Sequence, residues 1–156
     1  MWNQATPKRQ HPYLTRKEIR VTEHLRVTKS GTLLVPVLNA AGEIRSLQTI
    51  QADGKKRFLP GGEIKGCGYQ IGAGPILVFA EGVATALSIH QATQLPVVIA
   101  FNANNLKYVA LALRTCSKSR FVFAADNDKR GVGQNAAMAA ADLTDGEVVV
   151  LSLIHI

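Results

Sequence analysis

With 156 residues, 47% of them hydrophobic and 19% charged, the sequence has the length and composition of one folded domain with a real core. No run reaches the roughly eighteen apolar residues of a membrane span, the N-terminal segment lacks the apolar centre of a secretory signal, and Cys67 and Cys116 are too few and too far apart for a zinc site or a disulfide framework, as suits a reducing cytoplasm. The net charge of +7 is lopsided, twelve Lys and Arg against five Asp and Glu in residues 1–75 but six of each in 76–156; a basic front half fits a polyanion, nucleic acid first, and equally a solvated cationic face.

Residues 1–30 are polar and basic, with a short helical pattern around 16–25, and read as a lead-in that leans on another part of the fold. From Gly31 the pattern turns β-like. Extended runs at 32–38 and 43–51 meet at 39–42, and the Asp53-Gly54 turn follows, as in a meander. KRFLPGGEIKGCGYQIGAG then places five glycines between Gly61 and Gly72, with Gly74 beyond, which predicts loops rather than core. Residues 31–74 are expected to form a small β-rich subdomain.

From Pro75 the pattern changes again. ILVFA (76–80) is a short continuous apolar run, the mark of a strand covered on both faces. Helix-like segments at 82–93, 104–116 and 133–143 then alternate with strands at 96–101, 121–125 and 147–151. In the second helix Leu106, Val109, Ala110 and Leu113 share one stripe. The alternation predicts an α/β fold over 75–150, a Rossmann-like parallel sheet of four strands flanked by helices. The last six residues (151–156), LSLIHI, read as the translation of the end of a transposase-type sequencing adapter (CTG TCT CTT ATA CAC ATC). The native sequence is then expected to stop near Val150 within a longer gene; the alternative is an ordinary apolar strand continuation.

Parallel sheets collect their ligands at the carboxyl ends of the strands, and two of these ends carry acids. ILVFA runs into Glu81-Gly82, and FVFAA (121–125) runs into Asp126-Asn127-Asp128. Taken alone, Asp-Asn-Asp reads as a turn and helix N-cap. Glu81 at the equivalent end of another strand changes that balance, because adjacent strands would gather three carboxylates that repel one another unless something positive sits between them. Oxygen ligands on a rigid edge suit Mg²⁺, which takes one or two carboxylates and keeps several waters. Gly82 and Gly131 give the backbone room to turn and let a phosphate approach.

These two motifs resemble the Toprim family, shared by bacterial-type primases, type IA and type II topoisomerases and some nucleases. The resemblance extends to Toprim proteins of conjugative plasmids and phages, primases and primase-helicases, through LLVPVLNAAGEIRSLQTIQADGKKRFLPGGEIKGCGYQIG and EGVATALSIHQATQLPVVIAFNANNLK, and covers roughly residues 11–150. The zinc-binding module and helicase part that full-length relatives often carry are not among these residues. What the resemblance implies is metal-dependent phosphoryl transfer: Asp126 and Asp128 hold Mg²⁺ (or Mn²⁺), and Glu81 joins the metal shell or acts as general acid/base. It further implies a DNA primase, a nucleotidyltransferase that makes RNA primers on a single-stranded DNA template from nucleoside triphosphates, in the cytoplasm and alongside a helicase domain or subunit.

Lys55, Lys56 and Arg57, ahead of Pro60-Gly61-Gly62, form the strongest basic cluster and are candidate nucleic-acid or nucleotide contacts, with Lys65 a weaker companion. Lys129 and Arg130 either neutralise a triphosphate or balance the neighbouring acids. Asn102 and Asn105 suit capping of the helix that follows. His90 has no ligand partner at metal spacing, and Ser88 lacks a nucleophile elbow. The Gly72-Ala73-Gly74 pair precedes a strand, whereas a dinucleotide fingerprint follows one. Two rival readings stand: a Toprim nuclease or topoisomerase, although Tyr13, Tyr69 and Tyr108 lie in no catalytic-tyrosine context, and a non-catalytic nucleic-acid-binding module.

Overall fold

A computed structural model of the chain describes residues 1–7, 10–20 and 24–152. The β-like stretch after Gly31 folds as an antiparallel sheet. Strand β1 (Arg26–Val27) pairs with β2 (Leu33–Leu38), β2 with β3 (Ile44–Ile50), and β3 with β4 (Lys56–Phe58). Asn39 closes the β2–β3 turn by accepting the backbone N–H groups of Ala41 and Glu43 on its Oδ1, each at 3.0 Å.

The second sheet has five strands, not four. Its order is β5 (Tyr69–Ile71), β7 (Val97–Ile99), β6 (Ile76–Ala80), β8 (Arg120–Asp126), β9 (Glu147–Leu151). The four strands after Pro75 are parallel, as their alternation with helices α2 (Val83–Thr93), α3 (Ala103–Arg114) and α4 (Val132–Thr144) predicts. The addition is β5, which lies antiparallel to β7 inside the glycine-rich stretch expected to be loop. Gly68 permits it: a Cβ there would meet Val109 Cγ1 at 2.7 Å and the Ile99 carbonyl at 2.9 Å, so only glycine lets this segment lie against β7 and α3. Of the LSLIHI segment, Leu151 closes β9 opposite Asp126, and residues 153–156 lie outside the described residues.

The lead-in differs from expectation in its helix. Helix α1 spans Pro12–Arg16 rather than 16–25, and residues 21–23 of the expected segment lie outside the described residues. Two features place it early. Pro12 sits at the first turn, where its missing N–H costs nothing, and His11 Nδ1 accepts the Tyr13 N–H at 3.2 Å. Glu18, with φ 55, then turns the chain out of the helix.

One apolar cluster runs through both sheets. Tyr13, Leu14 and Leu25 of the lead-in pack with Leu33, Val35 and Ile50 of the antiparallel sheet and with Val78, Leu87 and Val97 beyond Pro75. On the opposite face of the parallel sheet, Phe79 stacks on Phe123 (centroids 4.8 Å) and tilts against Phe121 (4.7 Å), beneath Leu106, Val109 and Ala137 of the helices. Fully burying such a side chain stabilises by about 1.5–3 kcal/mol, and the face-to-face alternation of β6 (Leu77 and Phe79 against Val78 and Ala80) supplies both layers. Among the described residues no helix is long and apolar enough to cross a membrane.

Candidate active site and its basic wall

Strands β6 and β8 are hydrogen-bonded neighbours in register, Ala80 opposite Ala124. Glu81 therefore leaves β6 beside the end of β8, where Asp126 is the last strand residue. The two open onto one pocket of about 580 Å³. Glu81 is half-buried, and burial, reinforced by the nearby charges of Asp126 and Asp128, pushes its carboxyl above the ordinary carboxylate range. The Ala103 N–H, at the start of α3, and the Lys56 ammonium work against that rise. Among the described residues, none of the three acids forms a salt bridge.

Asp128 has a second employment. Its Oδ1 accepts the N–H groups of Arg130 (2.9 Å) and Val132 (3.2 Å), and its Oδ2 accepts that of Gly133 (2.9 Å). These bonds, the Gly133 N–H foremost, hold its carboxyl below the usual range. Asp128 thus satisfies the first turn of α4, the capping role its residue type favours. A carboxylate offers about four lone-pair sites, so one remains for a ligand. Gly131 adopts the left-handed conformation (φ 68) that the turn demands, whereas Gly82 (φ −107) does not. Gly133, overlooked in the sequence, is the crowded glycine here: a Cβ would meet Asp128 Oδ2 at 3.2 Å and the Asp126 carbonyl at 3.3 Å.

The donor set fits a hard divalent cation. It is all oxygen and negatively charged, and the Lys56 ammonium does not bring the Glu81 carboxyl back to its usual range. Among the described residues no three acidic, imidazole or thiol groups are clustered as a preformed metal cage. Mg²⁺, which binds through one or two carboxylates and fills its shell with water and substrate phosphate, is a cation of the kind such oxygen donors suit.

The same pocket also carries cations. Tyr13, Arg16 and Lys17 of the α1 region line it with Lys56 of β4, beside a further acid, Asp53, and Thr85 and Phe101 line it too. Lys56 Nζ lies 5.3 Å from the centre of the Tyr13 ring. Phe101 holds a left-handed backbone (φ 73), an uncommon state for a bulky residue, and its ring meets Phe58 edge-on at 5.8 Å. Of the basic cluster around β4, only Lys56 reaches the pocket. Lys55 is exposed and paired with Asp53 at 3.1 Å, and strand alternation turns Arg57 to the face opposite Lys56 and Phe58. Lys65 lines a different hollow, and Lys129 and Arg130 are exposed in the turn before α4, outside the pocket lining. Arg16 and Lys17 escaped sequence reasoning because their signal, two cations after an ordinary apolar pair, gains meaning only once α1 packs beside β4.

The remaining candidates are structural. His90 Nδ1 bonds the Leu95 carbonyl oxygen at 2.6 Å, within the α2–β7 connection. Asn102 caps α3 by accepting the Asn105 N–H at 2.9 Å. Asn105 does not cap. It is buried, accepts the Gly66 N–H at 2.8 Å, and donates to the Cys67 and Ala100 carbonyls at 2.9 Å each, clamping the glycine-rich loop to the sheet.

The chain is similar to several known proteins. The Toprim domain model matches residues 76–155. The DNA primase TraC of Escherichia coli is 32% identical over 153 residues, which cover 88% of this chain and 11% of that protein; for a second TraC primase the share is 14%, so the chain spans only a small part of these relatives. The primase fragment of the bacteriophage T7 primase-helicase superposes with a TM-score of 0.68 at 20% identity, over 94% of this chain and 66% of that one. The RNA polymerase domain of Mycobacterium tuberculosis primase DnaG gives 0.52 at 18% identity, over 89% and 54%. The likeness to both structures is one of fold. With acids at two adjacent strand ends and a family model covering the whole parallel sheet from β6 onward, the chain belongs to the Toprim family.

Proposed function

We propose that this chain is the Toprim catalytic part of a plasmid- or phage-type DNA primase, which joins nucleoside triphosphates into RNA primers on single-stranded DNA. One observation carries the reading: Glu81 and Asp126, without a salt-bridged partner among the described residues, share a pocket with Arg16, Lys17 and Lys56. Acids and cations in one cavity suit a metal-bridged polyphosphate, and the primase names of the relatives support the choice among Toprim chemistries.

In this reading Glu81, Asp126 and the remaining lone pair of Asp128 hold Mg²⁺. The ion would neutralise triphosphate charge and orient the reacting phosphoryl group. The chain's own cations act from the other side. Lys56 and Arg16 bind triphosphate oxygens, with Arg16 suited to a bidentate grip. Glu81, whose carboxyl is raised by burial and by its acidic neighbours, serves either as a ligand or as the base at the attacking 3′-hydroxyl. The full-length protein is further proposed to act in the cytoplasm with a helicase domain or subunit.

Primer synthesis by full-length Glu81→Gln and Asp126→Asn proteins tests the reading, with circular dichroism confirming the fold. Loss of primers in both supports it, and a normal yield from either refutes it. A cleavage reading finds one observation in its favour, the buried and unpartnered Tyr13 hydroxyl beside the acid pocket. Metal-dependent nicking of duplex DNA that disappears in Tyr13→Phe would select that reading instead.

A further inference from the structure

A second hollow opens one residue along the same sheet edge. Phe101 lines the acid pocket, and its neighbour Asn102 lines a shallow depression completed by Ile64, Lys65, Asn104, Asn105 and Tyr108. The half-buried Tyr108 ring is approached by two ammonium groups, Lys65 Nζ at 4.4 Å from its centre and Lys107 Nζ at 5.1 Å. One cation comes from the loop after β4 and the other from α3. No acid lines the depression. Asn102 uses its Oδ1 on the Asn105 N–H, which leaves its amide NH₂ to donate, and Asn104 is exposed. The frame is held in place by the three side-chain bonds of Asn105, which tie Gly66 and Cys67 to the end of β7.

We propose that this hollow binds single-stranded DNA, with one base stacked on Tyr108, Lys65 and Lys107 on the flanking phosphates, and the Asn102 amide donating to the strand. An aromatic face between two mobile cations, with free donors and no acid, offers each part of a nucleotide a partner. Long lysine stems swing from ring to phosphate without backbone change. The Lys pair alone would serve any polyanion; the ring is what selects bases. The proposal rests on the primase reading only in making the strand a template, since the binding itself needs neither metal nor nucleotide.

The test therefore uses the full 156-residue chain in EDTA, so that failure of the metal chemistry leaves it untouched. Fluorescence anisotropy compares oligothymidylate of about twelve nucleotides with an abasic strand of equal length and charge. The parent chain binds the thymidylate more tightly. Tyr108→Ala weakens that binding about 5- to 100-fold and erases the preference over the abasic strand, while Tyr108→Phe keeps both. The Lys65→Ala/Lys107→Ala chain lowers the salt slope by roughly 1.4, the share of two phosphate contacts on a single strand. Equal affinity of the parent for both strands overturns the proposal, and this arm stands even if Tyr108→Ala fails to fold. Unchanged binding by a folded Tyr108→Ala chain also overturns it. So does equal competition by an acidic peptide, which would indicate a protein partner.

Discussion

The two ends of the five-stranded sheet treat charge in opposite ways. At the amino ends of β8 and β9 the acids and bases are matched: the Arg120 guanidinium grips both carboxylate oxygens of Glu147, with Nε at 2.6 Å, and Arg114 lies 3.5 Å above the Phe121 ring while donating to the Ser119 carbonyl at 2.8 Å. At the carboxyl ends Glu81 and Asp126 line one pocket and Asp128 lies just beyond, none with a salt-bridged partner among the described residues, and burial together with the neighbouring acids raises the Glu81 carboxyl. Unmatched charges on neighbouring strand ends, with Glu81 half-buried among them, mark a candidate ligand site. The same asymmetry separates Asp128, whose backbone bonds hold its carboxyl low, from Glu81, whose carboxyl is held high.

The largest effects belong to the unmatched end. Glu81→Gln and Asp126→Asn are expected to reduce primer synthesis at least about 10²-fold while leaving the melting temperature undiminished. The sign follows from linkage. Because the folded state holds the Glu81 proton more tightly than the unfolded state, stability falls as pH rises from the usual 4.5 through the raised value. Glutamine removes that loss, so its melting temperature at neutral pH equals or exceeds the parent's; a marked fall would mean the carboxylate supports the fold instead. Mg²⁺ is the next lever. At about ten times its dissociation constant it stabilises the parent by roughly 1.4 kcal/mol, a rise of about 3–5 °C for a chain of this size, and does nothing for Asp126→Asn. Equal rises in both proteins would place the ion elsewhere.

His11 tests whether the basic wall is as rigid as the acid edge. The ring is buried, accepts the Tyr13 N–H on Nδ1, and has Nε2 at 3.0 Å from the Gly31 carbonyl oxygen. Both bonds are made by the neutral ring with its proton on Nε2, and burial lowers its pKa from the usual 6.5. The unfolded chain thus takes up the proton first, so stability present above 6.5 is lost as pH falls toward the depressed value. Replacing His11 with Asn, which keeps a cap acceptor, flattens the dependence of melting temperature on pH between neutrality and about pH 5. An unaltered slope would assign it to other groups. The smallest effect belongs to the matched end. Arg120→Ala breaks an exposed pair, shifts the melting temperature by no more than about 2 °C, and leaves primer synthesis unchanged.

Much of this was legible along the chain. ILVFA, FVFAA and EVVVL became β6, β8 and β9 because continuous apolar runs demand cover on both faces, and α2, α3 and α4 follow the periodicity between them. Glu81 and Asp126 sit at strand ends because the apolar runs stop there. Three features were not legible. Strand β5 hides among glycines, since what permits it is the space between Gly68, Val109 and the Ile99 carbonyl. Only one of three adjacent cations, Lys56, faces the pocket, because strand register decides which side each takes. Arg16 and Lys17 joined the site through the packing of α1 beside β4.

The division has one physical cause. Apolar periodicity, helix caps and turn residues act between neighbours in the chain, so strands, helices and acidic strand ends can be read from the residues in order. Whether Glu81 meets Asp126, which lysine faces them, and whether Asp128 caps a helix as well as a metal depend on contacts between segments tens of residues apart. Those contacts exist only after the segments have been packed, and packing is settled by shape and burial across the whole core.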